Sequence, residues 1–436
     1  MSERRQWSNW AGNQRCAPSV IEHPRDEHEL ATVVKAASAA SQTVKAIGTG
    51  HSFTDIGCTD GRMVVLDRYD RVLRVDDQAL TVTVQSGITI RALNRALARR
   101  GLAMPNLGDI AYQTISGAIA TATHGTGSSL GGIATQVIGL ELVTGDGSVV
   151  RCSADEEPDV FHAARVGLGA LGIVSTVTLQ CVPAFRLHAL EQPMRIDDIL
   201  EQLDDLVDGN DHFEFFWFPH TPMCSTKRNN RTDDAVSTRG RWKEWRDHVL
   251  FENVFFGAQC RIGRARPSLI PRLNARTASQ LGKVWRIERS HKVFASPRYV
   301  HFYEMEYSIA RAHCADALRQ LRAFIDTSGL QIGFPVEVRF VAGDDIPLST
   351  AYGGERCYVA VHVYRKMQHE QYFRGVEAIM REFDGRPHWG KLHYRTAADL
   401  APAYPEWDRF QAVRSRLDPE GRFRNAYLNR VLGPPT

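Results

Sequence analysis

Long apolar runs are missing from this 436-residue chain. A membrane-spanning helix needs ~18 consecutive apolar residues, and the stretch at 251–257 is far shorter. The N-terminus, MSERRQWSNWAGNQRC, has no apolar core, so no secretory signal is expected. A peripheral membrane contact stays open. Cysteine is sparse. The eight residues, at 16, 58, 152, 181, 224, 260, 314 and 357, form no CxxC and no Cys/His spacing suited to a metal. They predict reduced thiols, a cytoplasmic protein and no metal centre. Excess charge of one sign is also missing, with 53 Lys and Arg against 50 Asp and Glu. No nucleic-acid partner is expected, although a local basic patch is not excluded. Hydrophobic residues at 43% and charged residues at 24% are ordinary for a soluble globular protein of two or three domains. Glycine is the uneven residue. Eighteen of the 34 fall between Gly48 and Gly172, nearly twice an even spread.

Up to residue 182 the chain alternates strand and helix patterns. A helix is predicted over 27–40, where Leu30, Val33, Val34 and Ala37 share a face. Strands follow at 44–47, 63–66 and 80–84, then a helix at 90–100 ended by Gly101. A hairpin is predicted at 137–152 around Gly145-Asp146-Gly147, and a strand at 173–179. Beyond Pro183 the pattern changes. Helices are predicted at 196–207, 310–328 and 371–383, strands at 212–218, 334–340 and 356–364, and a long polar loop at 226–245. The expected fold class is α+β: a Gly-rich domain at 1–182, an antiparallel-sheet domain at 183–385, and a segment at 386–436 that completes the site.

Two loops concentrate small residues. One is Gly48-Thr49-Gly50-His51-Ser52-Phe53. The other runs from Ser116-Gly117-Ala118 to Thr123-His124-Gly125-Thr126-Gly127. Glycines let backbone N–H groups converge on an anion such as a pyrophosphate. Tight turns without a ligand are the alternative. The first loop lacks the third glycine of a dinucleotide fingerprint, so a nicotinamide site is not expected.

These loops, with Gly169-Ala170-Leu171-Gly172-Ile173-Val174 and the late His388-Trp389-Gly390-Lys391, resemble the vanillyl-alcohol-oxidase type of FAD-linked oxidoreductase with its PCMH-type FAD domain. The likeness is closest to the aldonolactone oxidase and dehydrogenase branch, in particular its bacterial L-gulono-1,4-lactone dehydrogenases. It implies FAD bonded through His51. It implies cofactor contacts at Gly48, Thr49, Gly50, Ser52, Ser116, Gly117, Thr123, Gly125 and Val174. His124 either bonds the cofactor or braces its loop. The implied reaction oxidises C2–OH of a sugar lactone by hydride transfer to flavin N5, giving an ascorbate-type product. An alditol or sugar oxidase is the alternative, and a non-catalytic flavin-binding protein a further one.

Alternation over 334–340 puts Glu337 and Arg339 on one strand face and Val336, Val338 and Phe340 on the other. Carboxylate and guanidinium suit a hydroxyl-rich substrate. A solvated surface pair is the plainer reading. The resemblance implies that Glu337, Arg339 and Lys391 are catalytic, with their individual roles open. It also places Gly108 where a side chain would obstruct oxygen. The expected electron acceptor is a cytochrome or dye, with some use of oxygen. His388 and His393 are equally a hinge and a site, and Tyr358, Ala360, His362 and Tyr364 share a strand face.

Overall fold

A computed structural model describes residues 6–237, 256–295 and 300–434. Its first unit is built on a three-stranded and a five-stranded sheet. Val20–Glu22, Arg62–Val65 and Val44–Ile47 form a parallel sheet with Arg62–Val65 in the centre. Helix Glu27–Ala39 connects two of them, and Asp26 caps it by accepting from the Glu29 amide at 2.8 Å. Its buried Leu30, Val34 and Ala37 pack on Val44 and Val64. A five-stranded antiparallel sheet runs in the order Val149–Ser153, Val137–Val143, Ile173–Gln180, Thr81–Gln85, Val72–Asp76. The predicted hairpin is its edge. Gly147 takes φ +80°, and Asp146 accepts hydrogen bonds from Thr144 and Ser148.

The second unit is an eight-stranded antiparallel sheet. Its order is Val284–Arg289, Arg186–Arg195, Met223–Thr232, His212–Trp217, Val336–Val341, Arg356–Tyr364, Phe302–Ala310, Arg386–Pro387. One face is apolar. Phe213, Phe215, Val336, Val338, Val359 and Met305 pack beneath helices Cys314–Thr327 and Glu370–Glu382. The opposite face is polar and yet buried, which is the arrangement that marks a site.

Two expectations need correction. Residues 226–232 are not loop. They belong to strand Met223–Thr232, between two neighbours in the sheet. Its polar composition misled because Ser225, Lys227 and Asn229 point to a cavity and not to bulk water. Part of the predicted loop, 238–245, lies outside the described residues. The helix expected at 196–207 is two short helices, Ile196–Glu201 and Leu203–Asp208, broken at Gln202 with φ −110° and ψ 21°. Each half opens with an acidic pair, Asp197-Asp198 and Asp204-Asp205, favourable at a helix N-terminus.

The chain end returns to the first unit. Trp389, Tyr404, Phe410, Tyr427 and Val431 share one core with Leu93, Ile115 and Val160. The Asn425 amide donates to the carbonyls of Asp55, Ile56 and Cys58 at 3.1, 2.9 and 2.9 Å. This return brings the 388–391 turn against the first glycine loop. Among the described residues no helix is long and apolar enough to cross a membrane.

Candidate active site

Two adjoining hollows hold the predicted residues. The first is a cleft in the Gly-rich unit, lined by Gly48, Thr49, Gly50, His51, Ser52, Ser116, Gly117 and Val174. Apart from His51, the only ionisable wall residue among the described residues is Lys45. That ammonium is buried and donates to the carbonyls of Leu168, Gly169 and Phe423. The Thr49, Gly50, His51 and Ser52 amides donate to no acceptor among the described residues. Four successive unspent N–H groups, with Gly50 at φ +72°, suit an anionic ligand such as a diphosphate. The cleft therefore fits FAD on its own chemistry. Some glycines serve the protein first. A Cβ on Gly48 would lie 2.2 Å from Thr114 Oγ1, and that hydroxyl accepts from the Gly117 amide at 3.2 Å.

The His51 loop is clamped from two sides. Asn9 Nδ2 donates to the Ser52 carbonyl at 2.9 Å, and Phe53 N–H donates to the Gly390 carbonyl at 2.7 Å. Trp10 lies against His51, with ring centroids 5.6 Å apart, and stacks on His301 at 4.5 Å. Burial, then the charge of Lys391, then His301 lower the His51 imidazole to about 4. The ring is neutral at ordinary pH and its lone pair is free.

The second hollow is a cavity of about 850 Å³ between the units. Gln113 lines both hollows and joins them. The polar sheet face forms its floor. Register pairs Glu214 with Arg339, Phe216 with Glu337 and Glu304 with His362, so these side chains share one surface. Glu337 and Arg339 line the cavity, as alternation predicted, and so do Lys391, Gly108, Thr123, His124 and Gly125. These last four belong to the cavity, not to the neutral cleft.

Arg339 is the electrostatic centre. It forms an ion pair with Glu337, donates from Nε to Glu214 at 2.9 Å, and lies 3.4 Å from Asp109. Three carboxylates on one guanidinium leave an excess of negative charge. Burial raises the Glu337 carboxyl to about 7; Arg339 opposes this, while Asp109 and Glu214 reinforce it. Burial wins because the guanidinium is shared. Lys391 forms an ion pair with Glu304 and lies 5.2 Å from the Phe53 ring centroid. Burial would depress its ammonium, but Glu304 and Glu306 raise it. His362, 3.4 Å from Glu304, is likewise raised against burial.

His124 braces its loop. Nδ1 donates to the Gly125 carbonyl at 2.9 Å, Nε2 faces Glu306 at 3.2 Å, and the ring lies on Tyr358 with centroids 3.7 Å apart. Gly127 N–H donates to the Phe340 carbonyl at 2.7 Å, tying the second glycine loop to the sheet. His388 accepts the Gly390 amide at Nδ1, 3.0 Å away. Burial drops this imidazole to about 3, so the neutral ring carries its proton at Nε2 and has no lone pair left for a metal. His393 bonds Tyr427 Oη at 3.1 Å within the core and takes no part in the cavity. Of the shared face of Arg356–Tyr364, only His362 reaches the cavity wall.

Asp109, Glu214, Glu304 and Glu306 were not anticipated. Glu304 and Glu306 had the same signal as Glu337 and Arg339, since Phe302–Ala310 alternates Met305, Tyr307 and Ile309 against them. Glu214 sits alone among aromatics, and Asp109 in a loop.

Fold comparison defines the class first. A solvent-stable cholesterol oxidase superposes with a TM-score of 0.82 at 18% identity, covering 99% of this chain and 98% of that one. Cholesterol oxidase from Brevibacterium sterolicum gives 0.78 at 16%, covering 98% and 96%. The fold is that of a PCMH-type FAD oxidase. The profile of an FAD binding domain matches residues 18–153, and that of D-arabinono-1,4-lactone oxidase matches residues 177–431. The chain belongs to the D-arabinono-1,4-lactone oxidase family and is an FAD-dependent oxidoreductase. It is 48% identical to an L-gulono-1,4-lactone dehydrogenase of Mycobacterium tuberculosis over 98% of this chain and 99% of that protein. It is 36% identical to the L-gulonolactone oxidase of Bos taurus over 98% of each.

Proposed function

We propose that this enzyme oxidises the C2 hydroxyl of an aldonolactone of the L-gulono-1,4-lactone kind to a ketone, which tautomerises to an ascorbate-type enediol. The observation that carries this reading is the buried polar sheet face opening on the cofactor cleft, with Arg339 shared among Asp109, Glu214 and Glu337. The names of the relatives support the lactone. Bound FAD supplies the acceptor for the substrate's two electrons and hydrogen.

The residues divide the remaining work. Glu337, raised to about 7, takes the hydroxyl proton. Arg339 orients the lactone oxygens with its planar fork and keeps Glu337 in place. Lys391, held by Glu304 beside Phe53, supplies positive charge where electron density accumulates. His51, neutral and clamped, is the residue proposed to bond the 8α carbon of the flavin. Thr49–Ser52 amides hold the diphosphate. Electrons leave to a cytochrome or dye-like acceptor, with some reaction with oxygen past Gly108.

A panel of aldonolactones and open-chain polyols with a dye acceptor tests this reading. Turnover of lactones over polyols is expected. Turnover of polyols alone would replace the lactone by an alditol, and none at all with flavin bound would overturn catalysis.

A further inference from the structure

A short turn near the N-terminus grips the His51 loop, and no step of the proposed reaction uses it. Strands Trp7–Ser8 and Arg15–Cys16 pair antiparallel, and residues 9–14 close the hairpin between them. The turn is fixed from within. Asn9 is buried, its N–H donates to the Gln14 carbonyl at 3.2 Å, and its Oδ1 accepts from the Gln14 amide at 3.0 Å. Gly12 supplies the reversal at φ +74°.

The turn holds the loop by its carbonyls. Trp10 N–H donates to the Gly50 carbonyl at 2.8 Å and Asn9 Nδ2 to that of Ser52 at 2.9 Å. Asn13 Nδ2 and Gln14 Nε2 both donate to the Phe53 carbonyl, at 2.8 and 3.0 Å. The amide edge of the same loop is left for the cofactor. Trp10 adds a surface for the imidazole, its ring inclined by 30° to that of His51. Trp10 is itself immobile. Its carbonyl accepts from His301 Nδ1 at 2.9 Å, its ring stacks on His301 with 10° between the planes, and Phe302 meets it edge-on at 5.5 Å. His51 therefore rests against a fixed plane.

Holding FAD through backbone amides does not require such support for a side chain. Bonding to it does. One imidazole nitrogen has to meet one carbon along one line, and a misplacement of ~1 Å costs about 100-fold in rate. We infer that the Asn9–Gln14 turn, acting through Trp10, sets the His51 ring for bonding to the flavin 8α carbon. Trp10 is a positioning residue that acts through His51. The inference rests on the proposed His51 link. Bond formation joins an imidazole nitrogen to the 8α carbon and removes one hydrogen from the methyl group and one from the imidazole. Those two protons and two electrons pass to dioxygen, which leaves as hydrogen peroxide.

The full-length chain from riboflavin-starved cells, mixed with FAD in air, tests this. Acid-quenched samples taken over time give bonded flavin in the precipitate and unbonded flavin in the supernatant, and one peroxide should appear per bond. Trp10→Leu should bond FAD ~100-fold more slowly than wild type. It should still take up the same total of flavin, because the Thr49–Ser52 amides are unchanged. Trp10→Phe restores a ring and should recover most of the rate. Asn13→Ala, a milder variant that loses one donor to the Phe53 carbonyl, should slow bonding ~5-fold at the same flavin uptake. Bonding at the wild-type rate by Trp10→Leu and Asn13→Ala would overturn the inference and leave the His51 link standing. Parallel loss of bonded and total flavin in Trp10→Leu, unrepaired by phenylalanine, would also overturn it and assign Trp10 to packing. A wild-type enzyme whose flavin all stays in the supernatant would overturn the His51 link itself, and the inference with it.

Discussion

Replacing Glu337 by glutamine separates two effects of opposite sign. Glutamine has the shape of the protonated carboxyl and cannot ionise. In the wild type the carboxyl stands at about 7 instead of its ordinary 4.5. A carboxyl raised on folding binds its proton more tightly in the folded state, so its stabilising contribution is complete below 4.5 and is lost as pH rises towards 7. Ionising it among Asp109 and Glu214 then costs the folded state about 3 kcal/mol by pH 8, at ~1.4 kcal/mol per pH unit. The variant escapes this loss. Its stability relative to wild type should rise by about 3 kcal/mol between pH 4.5 and pH 8, measured by denaturant melts of both proteins at matched pH. Turnover should move the other way, falling 10²–10⁴-fold as expected for a lost general base. The wild-type kcat/KM should rise with pH through an apparent pKa near 7, and the variant should lack that step. A variant with parallel stability profiles and wild-type turnover would refute both the crowding of charge on Arg339 and the role given to Glu337.

Other perturbations read other parts of the site. His51→Ala should leave the protein folded but let its flavin be released on denaturation, whereas wild-type flavin should stay with the polypeptide on a denaturing gel. His124→Phe removes the imidazole that faces the buried Glu306 carboxylate, so a loss of about 1–3 kcal/mol is expected in a melt, more than a surface substitution gives. Gly108→Ala would place a Cβ 3.1 Å from the His124 carbonyl, so it should cost about 1 kcal/mol and slow reoxidation by oxygen while dye reduction continues. Unchanged oxygen uptake would remove Gly108 from that path. Lys391→Met should lower turnover and leave Glu304 buried without its ammonium, visible as a lowered melting temperature that Lys391→Arg partly restores.

Sequence periodicity located the elements with strong period and clear ends. Arg356–Tyr364 begins and ends where it was predicted, and helix Glu27–Ala39 differs by one residue. Met223–Thr232 was hidden because strand recognition rests on apolar residues, while this strand turns polar side chains into a cavity. Alternation put Glu337 and Arg339 on one face, where a solvated pair was the plainer reading, and the family resemblance marked them as functional. Glu304 and Glu306 were not legible. They alternate in the same way, but no resemblance marked them, and their partners Lys391, His362, His124 and His388 come from distant segments. The crowding of glycine did mark the cofactor unit. Not every glycine faces the cleft, since a Cβ on Gly125 would strike the Leu107 carbonyl at 2.3 Å and one on Gly172 the Val143 carbonyl at 2.8 Å. Close backbone packing and ligand approach leave the same mark in a sequence.

In the proposed reaction the buried polar face holds a lactone so that its electrons pass to FAD bound in the neighbouring cleft. Mixing the purified yellow enzyme with L-gulono-1,4-lactone in the absence of oxygen and watching the flavin absorbance tests it most directly. Rapid bleaching that saturates with lactone, and is abolished by Glu337→Gln, is the predicted result. A flavin that stays yellow with every aldonolactone offered would contradict the account.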